Sequence, residues 1–364
     1  MKRPSDKEVI TQAIKQMPRL EKLSDRLKNR PEEVLDRLEP SPASAPFDEG
    51  LERARGARRR RDPEDTRRER ERVLEAGQRG LSKVRVDGTR ASLDREERVG
   101  LEAIILLAGR PAILIQNGTF AQPTEDEWQV LDEQRPQIEQ SIKSVGRIEV
   151  DGHPSFEWIG TGFLVSDDVV MTNRHVANEF ARMKTATMWS FAPGMTVRID
   201  YVEELGSSNP SEFKVTGIIG LHQDVDMALL RVAKKSGSGA TRPQPLPLAK
   251  APRLTIGRRV YVVGYPASDS RRNDPVEMRR IFANIYDVKR LQPGAIKSVQ
   301  AAARQLTHDC STLGGNSGSC VIDLESHQVV GLHFGGRYLE NNFAVILSRL
   351  QTDALIKKAA LTFA

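Results

Sequence analysis

Short apolar runs separated by turns fill the sequence from residue 145 onwards. They lie at residues 145–150, 158–165, 169–172, 196–201, 214–221, 228–232, 259–263, 321–323 and 329–334. Runs of this length, bounded by Gly, Pro or Asn, are typical of β-strands, and many short strands at this spacing favour a barrel fold. The pattern therefore predicts a mainly β domain over residues 145–364, built as a pair of β-barrels.

The first forty residues show apolar positions at helical spacing instead. These positions are Val9, Ile10, Ala13, Ile14, Met17, Leu20, Leu23, Leu27, Val34, Leu35 and Leu38. Pro18 and Pro31 interrupt the pattern, which therefore predicts two or three short helices over residues 8–38. Because a purely solvated tail needs no apolar stripe, we expect residues 1–40 to form a helical module on which a partner protein docks. A loosely held extension is the alternative.

Residues 41–90 begin as a Pro-rich linker and continue as an arginine-dense segment. Its arginines are Arg53, Arg55, Arg58, Arg59, Arg60, Arg61, Arg67, Arg68, Arg70 and Arg72. Acidic residues are interleaved with them, and the segment has no aromatic residue on which a base could stack. The composition therefore favours a basic helix with internal ion pairs over a nucleic-acid-binding surface.

The segment 91–144 mixes helix and strand signals. The pattern predicts a helix over residues 92–108 with Ser92 as its N-cap, a buried strand over 112–116, and a second helix over 123–143. We interpret these elements as a compact adaptor, or pro-region-like α/β segment, that packs against the β domain.

Near the C-terminal end, glycines flank a serine in Leu313-Gly314-Gly315-Asn316-Ser317-Gly318-Ser319. Glycine permits unusual backbone angles and leaves backbone N–H groups uncovered, so that they can converge on a developing oxyanion. This motif alone is weak, because most turns rich in Gly and Ser have no catalytic role. Two upstream motifs strengthen it, since His175 follows one apolar strand and Asp226 opens another.

The order His175, Asp226, Ser317 resembles that of the chymotrypsin-type proteases and differs from that of subtilisins and α/β-hydrolases. The resemblance covers residues 145 to about 350 and implies a chymotrypsin-like double β-barrel. It implies that His175 is the general base, that Asp226 orients it, and that Ser317 is the nucleophile. Asp224 is a nearby competitor, but the Asp followed by two apolar residues and Leu-Leu selects Asp226. The resemblance also implies an oxyanion hole formed by the N–H groups of Gly315 and Ser317.

Two departures from the family pattern bear on this assignment. Asn173-Arg174 stands where many secreted members have Ala-Ala. Asn316 stands where trypsin has an Asp that pairs with a newly cut N-terminus, and an amide cannot form that ion pair. We therefore expect a site that is preformed or is controlled through the N-terminal region.

The segments 311–319 and 330–336 resemble the bacterial glutamyl endopeptidase (V8-like) branch of the trypsin-like proteases. The resemblance implies that His333 and Thr312 line a pocket for an acidic P1 side chain, because an imidazole and a hydroxyl can both donate to a carboxylate. Gly335 and Gly336 would leave the strand edge open for pairing with a peptide. The alternative is that His333 packs in a differently shaped pocket.

Composition limits the compartment and the cofactors. The sequence has no apolar run long enough to span a bilayer and no apolar core of signal-peptide type. Secreted relatives are usually stapled by several disulfides, whereas this chain has only Cys310 and Cys320, which we expect to be reduced and partly buried. We therefore expect a cytoplasmic protein. The scattered histidines fit no zinc site, so we expect no metal and no cofactor.

Together these features predict a serine endopeptidase that cleaves protein or peptide substrates through an acyl-enzyme intermediate. A catalytically idle protease fold that serves as a binding module is the alternative. Because a cytoplasmic protease cannot be indiscriminate, we expect the N-terminal region to restrain the site or to recruit a target.

Overall fold

The computed structural model describes residues 6–31, 63–109, 111–120, 128–185, 188–207, 210–267, 287–312, 314–337 and 341–364. These residues fall into two compact units, one that holds the described residues up to Pro111 together with 128–129, and one that holds the rest. The second unit therefore includes residues 112–120 and 130–143, which the sequence pattern had grouped with a separate adaptor.

The first unit is helical. Its helices are α1 (Asp6–Lys15), α2 (Met17–Asn29), α3 (Pro63–Asp87) and α4 (Arg95–Gly109), with a 3-10 turn at Gly88–Arg90. Pro18 lies in the first turn of α2, where its missing N–H leaves no helical bond unmade. The two short N-terminal helices are confirmed as far as Asn29. Residues 32–62, with the linker and Arg53 to Arg61, lie outside the described residues.

Helices α3 and α4 approach each other at glycines. A Cβ built on Gly77 would lie 2.4 Å from the carbonyl oxygen of Gly100, so neither position has room for a side chain. Helix α4 begins with a reciprocal cap, in which Glu97 N–H donates to Asp94 Oδ1 at 2.8 Å and Asp94 N–H donates to Glu97 Oε2 at 3.0 Å. Asp94 is therefore the N-cap, and the prediction of Ser92 was wrong because this reciprocal pair satisfies two donors at once.

The second unit contains two closed barrels, which confirms the predicted double β-barrel. The first consists of β3 (Val145–Asp151), β4 (Trp158–Ser166), β5 (Val169–Thr172), β8 (Thr196–Asp200), β9 (Glu212–Leu221) and β10 (Ala228–Val232). The short helix α7 (Arg174–Asn178) follows β5, and a two-stranded ribbon of β6 (Ala181–Thr185) and β7 (Met188–Phe191) follows α7. The barrel interior is an apolar cluster that includes Phe180, Ile199 and Phe213.

The second barrel closes through the pairing of β11 with β12. Its strands are β11 (Arg259–Gly264), β12 (Arg290–Gln300), β13 (Gln305–His308), β14 (Cys320–Asp323), β15 (Val329–Arg337) and β16 (Asn341–Ile346). The hairpin β1 (Ile113–Gln116) and β2 (Thr119–Phe120) extends this sheet at β12. The remaining helices of this unit are α5 (Val130–Glu133), α6 (Arg135–Lys143) and α8 (Ala354–Lys358), with a 3-10 turn at Leu347–Leu350.

Cys310 and Cys320 form no disulfide, as predicted, but both are fully buried where partial burial was expected. Burial raises the pKa of the Cys320 thiol to about 12. Within the ranges that the structure covers, no helix is both long enough and apolar enough to cross a membrane.

Candidate active site

His175 and Asp226 are hydrogen-bonded to each other at the end of the first barrel. His175 lies in the first turn of α7, and its Nδ1 is 2.6 Å from Asp226 Oδ2. The backbone N–H of His175 donates to the other carboxylate oxygen, Oδ1, at 2.9 Å. Burial favours the neutral carboxyl, but the hydrogen bonds and charge of His175 outweigh it and lower the pKa of Asp226. Asp226 can therefore stay ionised and fix the imidazole tautomer.

Asn173 and Arg174, the first of the two departures noted above, hold the Asp226 loop in place. Asn173 Nδ2 donates to the backbone carbonyl of Asp226 at 2.9 Å, and Arg174 Nη1 donates to the carbonyl of His222 at 3.0 Å. Asp224, the competitor for Asp226, has a side chain that is 75% exposed and lies 3.8 Å from Arg304. The geometry thus pairs His175 with Asp226 and leaves Asp224 in solvent.

The turn that contains Ser317 requires its glycines. Gly315 and Gly318 have φ values of +85° and +92°. A Cβ on Gly318 would lie 2.0 Å from the carbonyl oxygen of Thr161, and one on Gly315 would lie 2.4 Å from that of Tyr265. Both positions therefore exclude any other residue on grounds of space and of backbone conformation.

Strand β4 of the first barrel holds this turn. Thr161 N–H donates to the carbonyl of Ser317 at 2.9 Å, and Thr161 Oγ1 donates to the carbonyl of Gly315 at 2.8 Å. Gly160 also lies between α7 and this turn, since a Cβ there would meet Val176 Cγ2 at 2.8 Å and the Ser317 carbonyl oxygen at 2.9 Å. His175, next to Val176, and Ser317 are thus brought to the same point of β4.

The peptide that joins Gly314 to Gly315 is oriented by a hydrogen bond. Ala267 N–H donates to the carbonyl of Gly314 at 2.6 Å. In a trans peptide the N–H points away from the C=O, so this bond turns the Gly315 N–H away from Ala267. Neither Gly315 N–H nor Ser317 N–H has an acceptor among the described residues. Leu313 lies outside them.

His333 lies inside the second barrel beside a second histidine. It is 2% exposed, and its Nδ1 is 3.2 Å from Nε2 of the fully buried His308. Burial, helped by the charges of His308 and His175, holds the pKa of His333 well below its usual value. His333 is therefore a neutral imidazole at neutral pH, able to donate one hydrogen bond. The sequence pattern gave no signal for His308, because β13 was not predicted.

The hydroxyl of Thr312 is already hydrogen-bonded to Asn342. Its Oγ1 donates to Asn342 Oδ1 at 2.7 Å, and Asn342 Nδ2 donates to the carbonyl of Cys310 at 2.5 Å. The second bond fixes the amide orientation, so the single hydroxyl hydrogen of Thr312 points to Asn342. Gly335 has open space where a Cβ would lie, whereas a Cβ on Gly336 would lie 2.0 Å from Asn342 Oδ1.

Three carboxylates in the first barrel lie close enough together to be considered as ligands of a metal ion. Glu149, Asp200 and Glu203 each offer an oxygen within 4.8 Å of the others. Arg147 Nη2 lies 2.5 Å from a carboxylate oxygen of Glu149 and 2.9 Å from one of Glu203, so the guanidinium forms an ion pair with each of them. Asp200 Oδ1 instead accepts from the backbone N–H groups of Val202 at 2.8 Å and Ser211 at 3.0 Å.

Comparison with known proteins agrees with the fold. Residues 160–332 match the family described as the trypsin-like peptidase domain. A probable serine protease of Lysobacter enzymogenes is 28% identical over 310 residues, which cover 76% of this chain and 79% of that protein. The glutamyl endopeptidase of Staphylococcus epidermidis is 26% identical over 191 residues, 52% of this chain and 58% of that protein. The chain therefore spans little more than half the length of this second relative.

Solved structures of proteases are also similar. The active form of a protease from M. tuberculosis has a TM-score of 0.41 and 23% identity, covering 62% of this chain and 85% of that one. A serine endoprotease from Yersinia pestis has a TM-score of 0.42 and 16% identity, covering 62% of this chain and 65% of that one. The family match and the curated relatives thus make this part of the chain similar to trypsin-like serine proteases.

Proposed function

We propose that the chain is a serine endopeptidase in which His175, Asp226 and Ser317 act as a catalytic triad. The observation that carries this proposal is the pair of hydrogen bonds between His175 and Asp226, which lie just after β5 and just before β10. The neighbouring strand β4 bonds to the end of β5 through Thr172 Oγ1 and the Thr161 carbonyl, and its Thr161 also holds the Ser317 turn. This arrangement joins a base and its orienting carboxylate from one barrel to a nucleophile from the other. The same division of roles is the working principle of the Ser-His-Asp triad.

The reaction follows from the roles of the three side chains. Ser317 Oγ attacks the scissile carbonyl carbon while His175 Nε2 takes its proton, and Asp226 stabilises the imidazolium. The same proton then passes to the leaving amine, and the C–N bond breaks to give an acyl-enzyme. Water, deprotonated by His175, hydrolyses the ester and restores Ser317. The N–H groups of Gly315 and Ser317 bind the oxyanion in both halves, a contribution of about 3 kcal/mol for each donor.

We further propose that the enzyme prefers an acidic P1 residue. His333 is the donor in this proposal. We assign His308 Nε2–H as the donor to His333 Nδ1, 3.2 Å away, an assignment that places the hydrogen of His333 on Nε2. Thr312 contributes only if a carboxylate displaces Asn342 from its hydroxyl. The primary pocket contact is therefore His333, with Thr312 secondary.

The experiment that tests both proposals is a cleavage profile on a mixed peptide library. Ser317→Ala should abolish all cleavage. Ser319→Ala is a matched control, because Ser319 Oγ is buried without a hydrogen-bond partner among the described residues and should be dispensable. Cleavage after Glu or Asp that disappears in His333→Leu would support the pocket. Cleavage after other residues would support the peptidase proposal and contradict the acidic P1 pocket. A folded but inactive parent enzyme would favour the binding-module alternative.

We also propose that the N-terminal region restrains the protease or recruits its target inside the cytoplasm. The supporting observation is that the described residues up to Pro111 form a compact helical unit of their own. A chain that begins at Ala112 would test this, compared with the full chain on peptides and on whole-protein substrates. Equal rates and an unchanged choice of protein substrates would remove the proposal.

A further inference from the structure

The loop between β9 and β10, which carries Asp226, is held from inside by a histidine. His222 opens this loop, and its backbone N–H donates at 2.8 Å to the carbonyl of Met227 at the other end. The imidazole of His222 turns back into the loop, where Nδ1 accepts from the N–H of Asp224 at 3.0 Å and from that of Val225 at 3.1 Å. One ring nitrogen therefore holds the backbone of the two residues that directly precede Asp226.

The other ring nitrogen of His222 faces the start of α8. Because two N–H groups donate to Nδ1, the hydrogen of the neutral ring lies on Nε2, which is 3.1 Å from Asp353 Oδ2. Asp353 is the N-cap of α8, and its other oxygen, Oδ1, accepts from the N–H of Leu355 at 2.8 Å. The side chain of His222 is only 5% exposed, so water has little access to these contacts. The Asp226 loop, the imidazole and the start of α8 therefore form one hydrogen-bonded unit.

Helix α8 is itself fixed on the first barrel. Lys358 Nζ donates to the carbonyl of Ile219 at 2.7 Å, and a Cβ on Gly220 would lie 2.7 Å from Leu355 Cδ1. Ile219 and Gly220 belong to β9, the strand that leads into the Asp226 loop. The carboxylate that caps α8 is therefore held in a defined position relative to that loop.

A second histidine in the same barrel repeats this arrangement. His153 Nδ1 accepts from the N–H groups of Ser155 and Phe156, each at 3.1 Å, and its Nε2 lies 3.3 Å from Glu179 Oε2. As in the Asp226 loop, the donors lie two and three residues after the histidine, and a carboxylate from another element pairs with Nε2. The β3–β4 turn that His153 holds carries none of the candidate catalytic residues. His153 therefore provides a control for what such a ring does apart from catalysis.

Asp226 needs a defined orientation because both of its carboxylate oxygens are used. Oδ2 lies 2.6 Å from His175 Nδ1, and Oδ1 accepts from the backbone N–H of His175 at 2.9 Å. A shift of the loop backbone would lengthen both contacts, and a misplacement of about 1 Å can cost on the order of a hundredfold in rate. Because the ring of His222 holds the two residues before Asp226, its loss would displace that carboxylate.

We propose that His222 is a positioning residue for Asp226 and that Asp353, at the start of α8, fixes its ring. This inference rests on the proposed peptidase function. Without the imidazole, the N–H groups of Asp224 and Val225 would lose their acceptor, and the loop would rearrange to satisfy them. His222 thus acts through the loop backbone, and Asp353 acts through His222.

The kinetic test uses one peptide substrate and four variants of the full chain. His222→Leu should lower kcat about tenfold to a hundredfold with little change in KM, because Asp226 is misplaced while the pocket is kept. His222→Asn should restore much of kcat, since an Asn oxygen can accept from the N–H two residues later. Asp353→Ser keeps a hydroxyl cap for α8 and removes the oxygen that faces the ring, so it should lower kcat in the parent but no further in His222→Leu. His153→Leu, the matched control, should leave kcat unchanged.

A second measurement reads the orientation of Asp226 without turnover. In Ser317→Ala, the hydrogen between His175 Nδ1 and Asp226 should give a downfield proton NMR signal, which should be lost when His222→Leu is added and kept when His153→Leu is added. A signal that is absent from Ser317→Ala itself, or that persists with His222→Leu, would overturn the positioning role.

The kinetic outcomes separate this inference from the proposed function. An unchanged kcat in His222→Leu, an equal loss in His153→Leu, or a loss confined to KM would overturn the positioning role. If His222→Leu does not fold, Asp353→Ser decides, and an unchanged kcat in that variant would contradict the proposal. A parent enzyme that cleaves no peptide would contradict the proposed function instead, and the NMR signal would still test whether His222 positions Asp226.

Discussion

The interior of the first barrel is apolar apart from Thr172 at the end of β5, whereas the interior of the second barrel carries an amide and two imidazoles among its apolar side chains. The core of the first barrel is built from Val, Ile, Leu, Phe, Ala and Tyr. In the second barrel, Gln292 pairs with Val262, His308 pairs with Ile296, and His333 pairs with Ala344. Because these apolar partners belong to the core, the polar side chains share its inward face.

This difference between the two interiors corresponds to two roles, support of the candidate catalytic residues and formation of the candidate P1 pocket. The first barrel holds its candidate catalytic residues outside the core, on α7 and on the loop before β10, and Val176 and Ala177 anchor α7 in the apolar core. The second barrel turns part of its interior into the candidate P1 pocket. Burying an imidazole costs free energy unless it is hydrogen-bonded, and the bond between His308 and His333 meets part of that cost. Substitutions in the two barrels should therefore have different effects.

The largest effect is expected from Asp226→Asn in the first barrel. An amide cannot stabilise the imidazolium and selects the wrong tautomer, so kcat should fall by about 10⁴-fold. Asp224→Asn is the matched control, because that side chain is 75% exposed, and its kcat should match that of the parent. Steady-state kinetics on one peptide substrate checks both variants, and a large loss in the Asp224 variant would contradict the assignment.

The next effect is expected at the turn between the barrels. Gly318→Ala should lower the free energy of unfolding by about 3 kcal/mol, because its φ is +92° and its Cβ would meet the Thr161 carbonyl oxygen at 2.0 Å. Gly217→Ala, where the nearest atom to a new Cβ is 3.9 Å away, should differ little from the parent. Urea denaturation measures both, and equal stability of the two variants would argue against the close approach.

A smaller effect on catalysis is expected at Thr161, which joins β4 to the nucleophile turn. Thr161→Val removes the hydroxyl bond to the Gly315 carbonyl, and the loosened turn should lower kcat roughly tenfold to a hundredfold with little change in KM. Thr216→Val is the control, because the exposed hydroxyl of Thr216 donates at 3.3 Å to the carbonyl of Arg231, away from the nucleophile turn. A change in KM alone would indicate that Thr161 acts on the pocket instead.

The smallest effect is a pH dependence of stability from the second barrel. The pKa of His333 is lowered in the folded state, so the unfolded chain binds a proton first as the pH falls below about 6.5. The stability from the neutral imidazole is thus present above that pH and lost below it, by up to about 2 kcal/mol at pH 5. His333→Leu should flatten this dependence in urea titrations between pH 7 and 5, and an equally steep dependence would contradict the buried, neutral state.

The local sequence predicted the strands of the first barrel well because they alternate plainly and end at turn residues. It missed β12, where Pro293-Gly294 resembles a turn. In the barrel, Pro293 is instead paired with Tyr261 as part of β12. Only glycine fits at position 294, because a Cβ there would lie 2.8 Å from Cys310 Sγ. The strand β12 therefore forms because of packing against segments that are distant in the sequence, and the local sequence pattern cannot show such packing.

The candidate site shows the same limit. Motif order predicted His175, Asp226 and Ser317, and in the structure the first two are hydrogen-bonded to each other. The supporting bonds of Asn173, Arg174, Thr161 and His308 join residues far apart in the sequence, so only the fold reveals them. The engagement of Thr312 by Asn342 likewise depends on the pairing of strands that the pattern did not predict.

The central claim is that Ser317 is a nucleophile activated by His175 and Asp226, and covalent labelling tests it most directly. The full chain is treated with a fluorophosphonate, and the modified residue is located by peptide mass spectrometry. We predict one label, on Ser317, which disappears in His175→Ala and is unaffected in Ser319→Ala. A label on another serine, or none on a chain that unfolds cooperatively, would contradict the account.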